Sequence, residues 1–235
     1  VNSDRLAFFD SSVRAVRAAL APMLLIQAAA ALLVFAYFRS DGVRAWADGV
    51  GALKSASGLP GAFVAGFLAG GLLPEIAKAV TGRLRSFSRA ELVRAAWTGV
   101  VYGLVAICVD LLYVGQAVWF GHGRDAATLT IKTAVDMLIF SPFVSIPLAT
   151  YLLGWWQSGF RAGFWRRAFT FRFYREEVLG AMPLCWAYWV PILLLTYAFP
   201  LPIQFPFAIL AESAWSIVFV FFVVDRGDAP EVAVP

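Results

Sequence analysis

Apolar residues run along the chain in six blocks separated by short polar connections. A bilayer core about 30 Å thick needs roughly 20 helical residues at about 1.5 Å each, and every block approaches or exceeds that length. The blocks run from Val16 to Phe38, Leu59 to Val80, Ala95 to Phe120, Ile131 to Trp156, Met182 to Phe199 and Phe205 to Val224. The pattern predicts an all-α fold, an integral membrane bundle of about six transmembrane helices. Arg14 and Arg17 precede the first block as in a signal peptide, but its apolar length exceeds a signal h-region and no convincing cleavage site follows. Pro200, Pro202 and Pro206 crowd the short link from Leu201 to Gln204, so the last two spans form a tight helical hairpin.

Charge then orients the bundle. Of 19 Lys and Arg, 14 fall on the side that holds the N-terminus, Lys78 and the connections Arg83 to Arg94 and Arg161 to Arg175, and 5 on the other. The positive-inside rule places both termini on that basic side, which agrees with an even number of spans. The organisation expected is an N-terminal segment, 1–58, carrying an additional transmembrane helix, a five-helix membrane domain, 59–225, and a loose tail, 226–235. The chain begins at Val1 rather than Met, which fits a product freed of an import sequence and equally a shortened chain.

Composition supports the same class. Hydrophobic residues make up 61% of the 235 positions and charged residues 14%, too apolar for a soluble domain with a polar shell. The net charge of +4 does not point to nucleic acid, because the basic residues sit in short connections and form no stripe. Cys108 and Cys185 lie inside apolar runs without a CxxC or a His partner, so they read as packing residues. His122 is the one histidine, and no GxSxG, HExxH or GxxxxGKS motif occurs, which argues against a hydrolase or an ATPase. His122 stands between Gly121 and Gly123, where a membrane-edge turn is the first reading and ligation of a metal or pigment the second.

Ionisable groups in hydrocarbon are costly, so each has a structural and a functional reading. Asp110, near the middle of the third span, is read first as a hydrogen bond to a neighbouring helix and second as part of a solute or proton path. Glu75 and Lys78 are three apart and Lys132 and Asp136 four apart, so each pair is expected to neutralise itself locally. Glu212 precedes Trp215 by one turn and fits a capping or interhelical role at least as well as ligand binding. Gly61, Gly66, Gly70 and Gly71 let the second span approach another backbone. In the segment from Phe160 to Glu177, Arg161, Arg166, Arg167, Arg172 and Arg175 alternate with aromatic residues, which reads first as a topology-setting loop and second as a site for lipid headgroups.

Lys132-xxx-Asp136-xxxxx-Pro142, followed by Trp186-xx-Trp189 with Pro191, Pro200 and Trp215, resembles the family of Mpv-seventeen and the twenty-two-kilodalton peroxisomal membrane protein. Gly70-xxxx-Glu75-Ile76 and Arg94-xxxx-Gly99-xxx-Gly103 are similar to two further stretches of its pattern. The resemblance covers roughly Gly61 to Val224, with the first span as an addition. Met137 stands where the family has Gln, Leu193 near its second Gln, Thr196 at its Asn and Gln204 at its Arg, and Val190 is inserted before Pro191. The resemblance implies an organellar membrane, mitochondrial or plastid inner membrane ahead of peroxisomal, and a weakly selective channel.

Two functions are expected from this reading. The first is a non-enzymatic accessory or scaffold protein whose aromatic faces contact lipids, cofactors or other membrane subunits, with self-association also open. No cofactor is identifiable, although there is room for a bound lipid or pigment. The second is a small-solute channel with Glu75, Asp110 and Asp136 near its path and Lys78, Lys132, Gln204 and Glu212 as further polar candidates.

Overall fold

The computed structural model describes residues 2–81, 88–121, 123 and 125–224, with side chains given for 21–81, 88–121, 123, 125–200 and 203–220. His122, Arg83 and the tail after Val224 lie outside the described residues. Ten α-helices follow one another, and no strand occurs among the described residues. They are α1 (Asn2–Arg39), α2 (Asp41–Phe67), α3 (Leu73–Val80), α4 (Arg89–Phe120), α5 (Ala126–Val135), α6 (Ile146–Gln157), α7 (Gly163–Ala168), α8 (Phe171–Phe173), α9 (Met182–Ala198) and α10 (Leu201–Val224). Among the described residues six stretches are long and apolar enough to cross a membrane: Ala21–Arg39, Asp41–Val80, Arg89–Phe120, Ala126–Gln157, Phe171–Ala198 and Ile203–Val220. The chain is thus an all-α bundle of the membrane-protein type.

Local chemistry sets the boundaries. Ser40 accepts from the Val43 N–H to start α2, Ser88 and Glu91 form a capping box on α4, and Asp125 caps α5. Asp125 accepts from both the Thr128 N–H, at 3.0 Å, and the Thr128 hydroxyl, at 2.6 Å, and these bonds hold its carboxyl below the usual range. Gly121 ends α4 at a φ of 72°, and Pro200 separates α9 from α10. A helix also occupies 41–57, where the span-length reading had placed only a connection. Asp41, Arg44, Asp48 and Lys54 make that stretch too polar to register as a span, while its alanines and the Ser40 cap favour helix. It bends into the second span at Gly58, whose φ of 54° is left-handed and suits glycine.

Three wide π-helical stretches interrupt the spans, Leu68–Leu72, Asp136–Ser145 and Tyr174–Val178. Each lies shortly before a proline near the start of the next α-helix: Pro74, Pro147 and Pro183. At each one the chain exits on a bond from an N–H to the carbonyl five residues back, Leu73 to Leu68, Ile146 to Ser141 and Leu179 to Tyr174. The fourth span also carries Pro142 within its wide stretch. In a five-back pattern the Met137 carbonyl would need the N–H of residue 142, and the Pro142 carbonyl that of residue 147; both are prolines and have none. The fifth span supplies both missing donors. Trp186 Nε1 donates to Met137 O at 2.9 Å, and the Tyr174 hydroxyl donates to Pro142 O at 3.0 Å.

Close packing joins α2 to α4. A Cβ on Gly71 would lie 2.6 Å from the Ala95 carbonyl oxygen and 3.0 Å from Gly99 Cα, and Gly66 meets the Tyr102 carbonyl. Gly99 and Gly103 in turn receive the rings of Phe67 and Phe63. Gly61 differs, facing Ser57 of its own helix. α10 is central, packing against α1, α2, α3, α6 and α9. The main core gathers Tyr102 and Val105 of α4, Ile146 and Leu153 of α6, Cys185 of α9 and Trp215 and Phe219 of α10. Tyr188 fastens α1 and α9 to this centre, accepting from Gln27 Nε2 at 2.8 Å and donating to Ala211 O at 2.6 Å. Phe35, Val118, Trp119 and Phe143 are exposed on the outside, as lipid-facing positions of a membrane bundle are.

Trp186→Phe or Tyr174→Phe removes a donor from a carbonyl that no backbone group replaces, so each should cost about 1–2 kcal/mol of stability. Thermal unfolding in detergent reads this loss, with Trp119→Phe, an exposed ring at a helix end, expected to stay within about 0.5 kcal/mol of the parent.

Candidate functional site

A cavity of about 580 Å³ opens within the bundle, walled by α2, α4, the wide stretch of the fourth span, α9 and α10. Its size falls within the range of small-molecule sites, roughly 300–1,000 Å³. The small residues Ala62, Ala65 and Gly66 of α2 and Ala69 of the wide stretch that follows it leave the space, and the larger side chains of the other spans line it.

Asp136 and Glu212 both face this space. Asp136 is buried, 6% exposed, and has no hydrogen-bond or ion-pair partner among the described residues. Glu212 is half-buried and equally without a partner among them. The two carboxyl groups are near enough for their charges to interact. Tyr102, whose buried hydroxyl has no partner, lines the cavity as well.

Two expectations are corrected here. The pairing expected between Lys132 and Asp136 is absent: Lys132 Nζ donates to the Gly121 carbonyl at 2.6 Å instead. The turn from Lys132 to Asp136 is regular, with the Asp136 N–H bonded to the Lys132 carbonyl, so spacing alone would allow the pair, but the Lys132 ammonium reaches the end of α4 instead. Lys132 satisfies a free carbonyl at the C-terminal end of α4, which leaves Asp136 to the cavity. Glu212 makes no capping or interhelical hydrogen bond among the described residues; it sits well inside α10, where the backbone N–H groups are already used.

Asp110 and Glu75 are paired. Asp110 forms an ion pair with Lys54 of α2, a bond to a neighbouring helix at the cavity wall. Glu75 pairs with Lys78 and lies 3.7 Å from Arg94 NH2, away from the cavity. Gln204 lines the cavity and donates to Phe199 O at 2.8 Å, closing the turn between α9 and α10. Of the family-like skeleton, Trp189 and Trp215 line the cavity and stand 6.3 Å apart at their ring centroids, whereas Trp186, Pro142, Pro191 and Pro200 lie outside its lining.

The five arginines of the aromatic segment are exposed and far from this site in role. Arg172 reaches Glu176 at 3.0 Å, Arg175 lies 3.6 Å from the same carboxylate, and Arg167 covers the Phe173 ring at 5.8 Å. Arg161 and Arg166 point outward from a cluster that packs Trp97, Trp155, Phe160 and Trp165 together. No group of three or more His, Cys, Asp or Glu able to hold a metal ion occurs among the described residues.

Lys54, Asp48, Tyr113 and Tyr197 were not legible as site residues. Tyr113 and Tyr197 pack at 5.9 Å across α4 and α9, and the Tyr197 hydroxyl reaches Gln116 at 3.5 Å. A signal for Lys54 existed: an antiparallel register that sets Gly71 against Gly99 and Gly66 against Tyr102 carries Lys54 toward Asp110.

Removing either partner of that pair strands the other. Lys54→Met and Asp110→Asn should each cost about 2 kcal/mol, below the ~3–5 kcal/mol of a fully buried pair because Lys54 remains 29% exposed. The double replacement should recover part of the loss, read by a double-mutant cycle of unfolding midpoints in detergent. Compared with family models, with curated proteins and with solved structures, the chain matches none.

Proposed function

We propose that this integral membrane protein is a non-enzymatic, weakly selective small-solute channel whose path runs through the central cavity. The observation that carries the reading is the pair Asp136 and Glu212, both facing a space of about 580 Å³ without a protein partner among the described residues. A carboxyl group inside a bundle costs free energy unless something hydrates or pairs it, and two on one cavity call for water or solute as that partner. A scaffold, the first expectation from sequence, needs packing faces on its outside and gives these groups no task. Exposed Asp48 on the same lining continues the acidic path toward the end of α2. An organellar location accompanies the proposal through the Mpv-seventeen resemblance.

Flux into liposomes tests it. Vesicles carrying the full chain should pass sodium and small neutral solutes faster than empty vesicles, with cations preferred over anions. Asp136→Asn or Glu212→Gln should lower that preference by up to about tenfold, the equivalent of ~1.4 kcal/mol. Vesicles no leakier than empty ones, together with native-gel migration in a much heavier complex, would return the scaffold to first place.

A further inference from the structure

Four carboxylates line the cavity, Asp48, Asp110, Asp136 and Glu212, and Lys54 is the lone Lys or Arg in that lining among the described residues. Lys54 is already engaged by Asp110. Asp136 and Glu212 remain without a protein partner among the described residues, and a cation seated beside them favours their ionised form whereas an anion opposes it, so the site selects against carboxylates and phosphates.

The lining shared with these carboxyl groups also carries large rings, Tyr102, Tyr113, Phe140, Trp189, Tyr197 and Trp215 among them. Aromatic faces attract a positive charge, most strongly when it is desolvated and weakly hydrated to begin with, and a carboxylate beside them adds to the attraction. A small metal ion is a poor match, since hard cations need six or more converging oxygen ligands and no such cluster is present among the described residues. A neutral apolar guest would leave Asp136, Glu212 and the Tyr102 hydroxyl unsatisfied, since none has a partner in the protein among the described residues.

We infer that the cavity binds an organic cation with an apolar body, a substituted ammonium seated between Asp136 and Glu212 with its hydrocarbon part against the aromatic wall. The volume of about 580 Å³ admits a ring or a short branched chain carrying that charge. This inference rests on the reading of the cavity as a solute site and specifies what that site prefers. The Asp136 carboxyl is supplied by the proline-dependent wide stretch, and the Glu212 carboxyl by the central helix, so both anchors stand on packed elements rather than loops.

Calorimetric titration of the full chain in lipid nanodiscs with benzyltrimethylammonium tests the inference, against benzyl alcohol as the neutral probe, benzoate as the anion and sodium as the inorganic cation. Saturable binding of benzyltrimethylammonium, at least about tenfold tighter than the other three and weakened about tenfold by Glu212→Gln or Asp136→Asn, is the result expected. Equal binding of benzyl alcohol, or affinity unchanged in both variants, overturns it. Should a variant fail to fold, the comparison of the four probes on the parent chain decides alone. Binding of the ammonium without any flux in liposomes sustains the site and overturns the channel; flux of sodium without ammonium binding overturns the site and leaves the channel standing.

Discussion

In hydrocarbon a backbone carbonyl has no water to turn to, and a proline takes away the N–H that would have served it. Most of what distinguishes this bundle follows from how that deficit is met. Near Pro74, Pro147 and Pro183 the helix first widens, so that the flanking carbonyls find donors five residues on. Where prolines 142 and 147 remove even those donors, the indole of Trp186 and the phenol of Tyr174 supply them from the fifth span. The contact is at once local repair and tertiary bond, and it fixes the fifth span against the fourth.

Asp136 stands one regular turn beyond Lys132, yet the two do not pair. Lys132 turns to the Gly121 carbonyl, and the Asp136 carboxyl, at the start of the wide stretch, faces the cavity unpaired among the described residues. Glu212 meets it from α10, the most enclosed of the spans. Two carboxyl groups thus stand in the interior of the bundle, and the small residues of the second span leave room beside them.

Outside the cavity, polar groups are handled by pairing and by position. Asp110 is matched by Lys54, Glu75 by Lys78 with Arg94 nearby, and the arginines after Gly159 stay on the exposed side of an aromatic cluster. Asp136 and Glu212 stand apart from these, facing one cavity without a hydrogen-bond or ion-pair partner among the described residues.

Sequence by itself determined the class, because the length and apolarity of a span are local properties that no neighbour needs to confirm. Six crossings, the α9–α10 hairpin at Pro200 and the close approach through Gly66 and Gly71 were all legible in this way. The helix over 41–57 was not, since its polarity hides it from a test built on hydrocarbon thickness. Side-chain partnership belonged to tertiary structure alone. Spacing of four residues promised a Lys132–Asp136 pair, but spacing shows only which partner lies within reach on the same helix; the Gly121 carbonyl, at the end of α4, took the Lys132 ammonium instead. Which carboxylates were neutralised and which were left to face a cavity was decided by the packing of α2, α4 and α10 around it, a relation between residues far apart in the chain that no local pattern encodes.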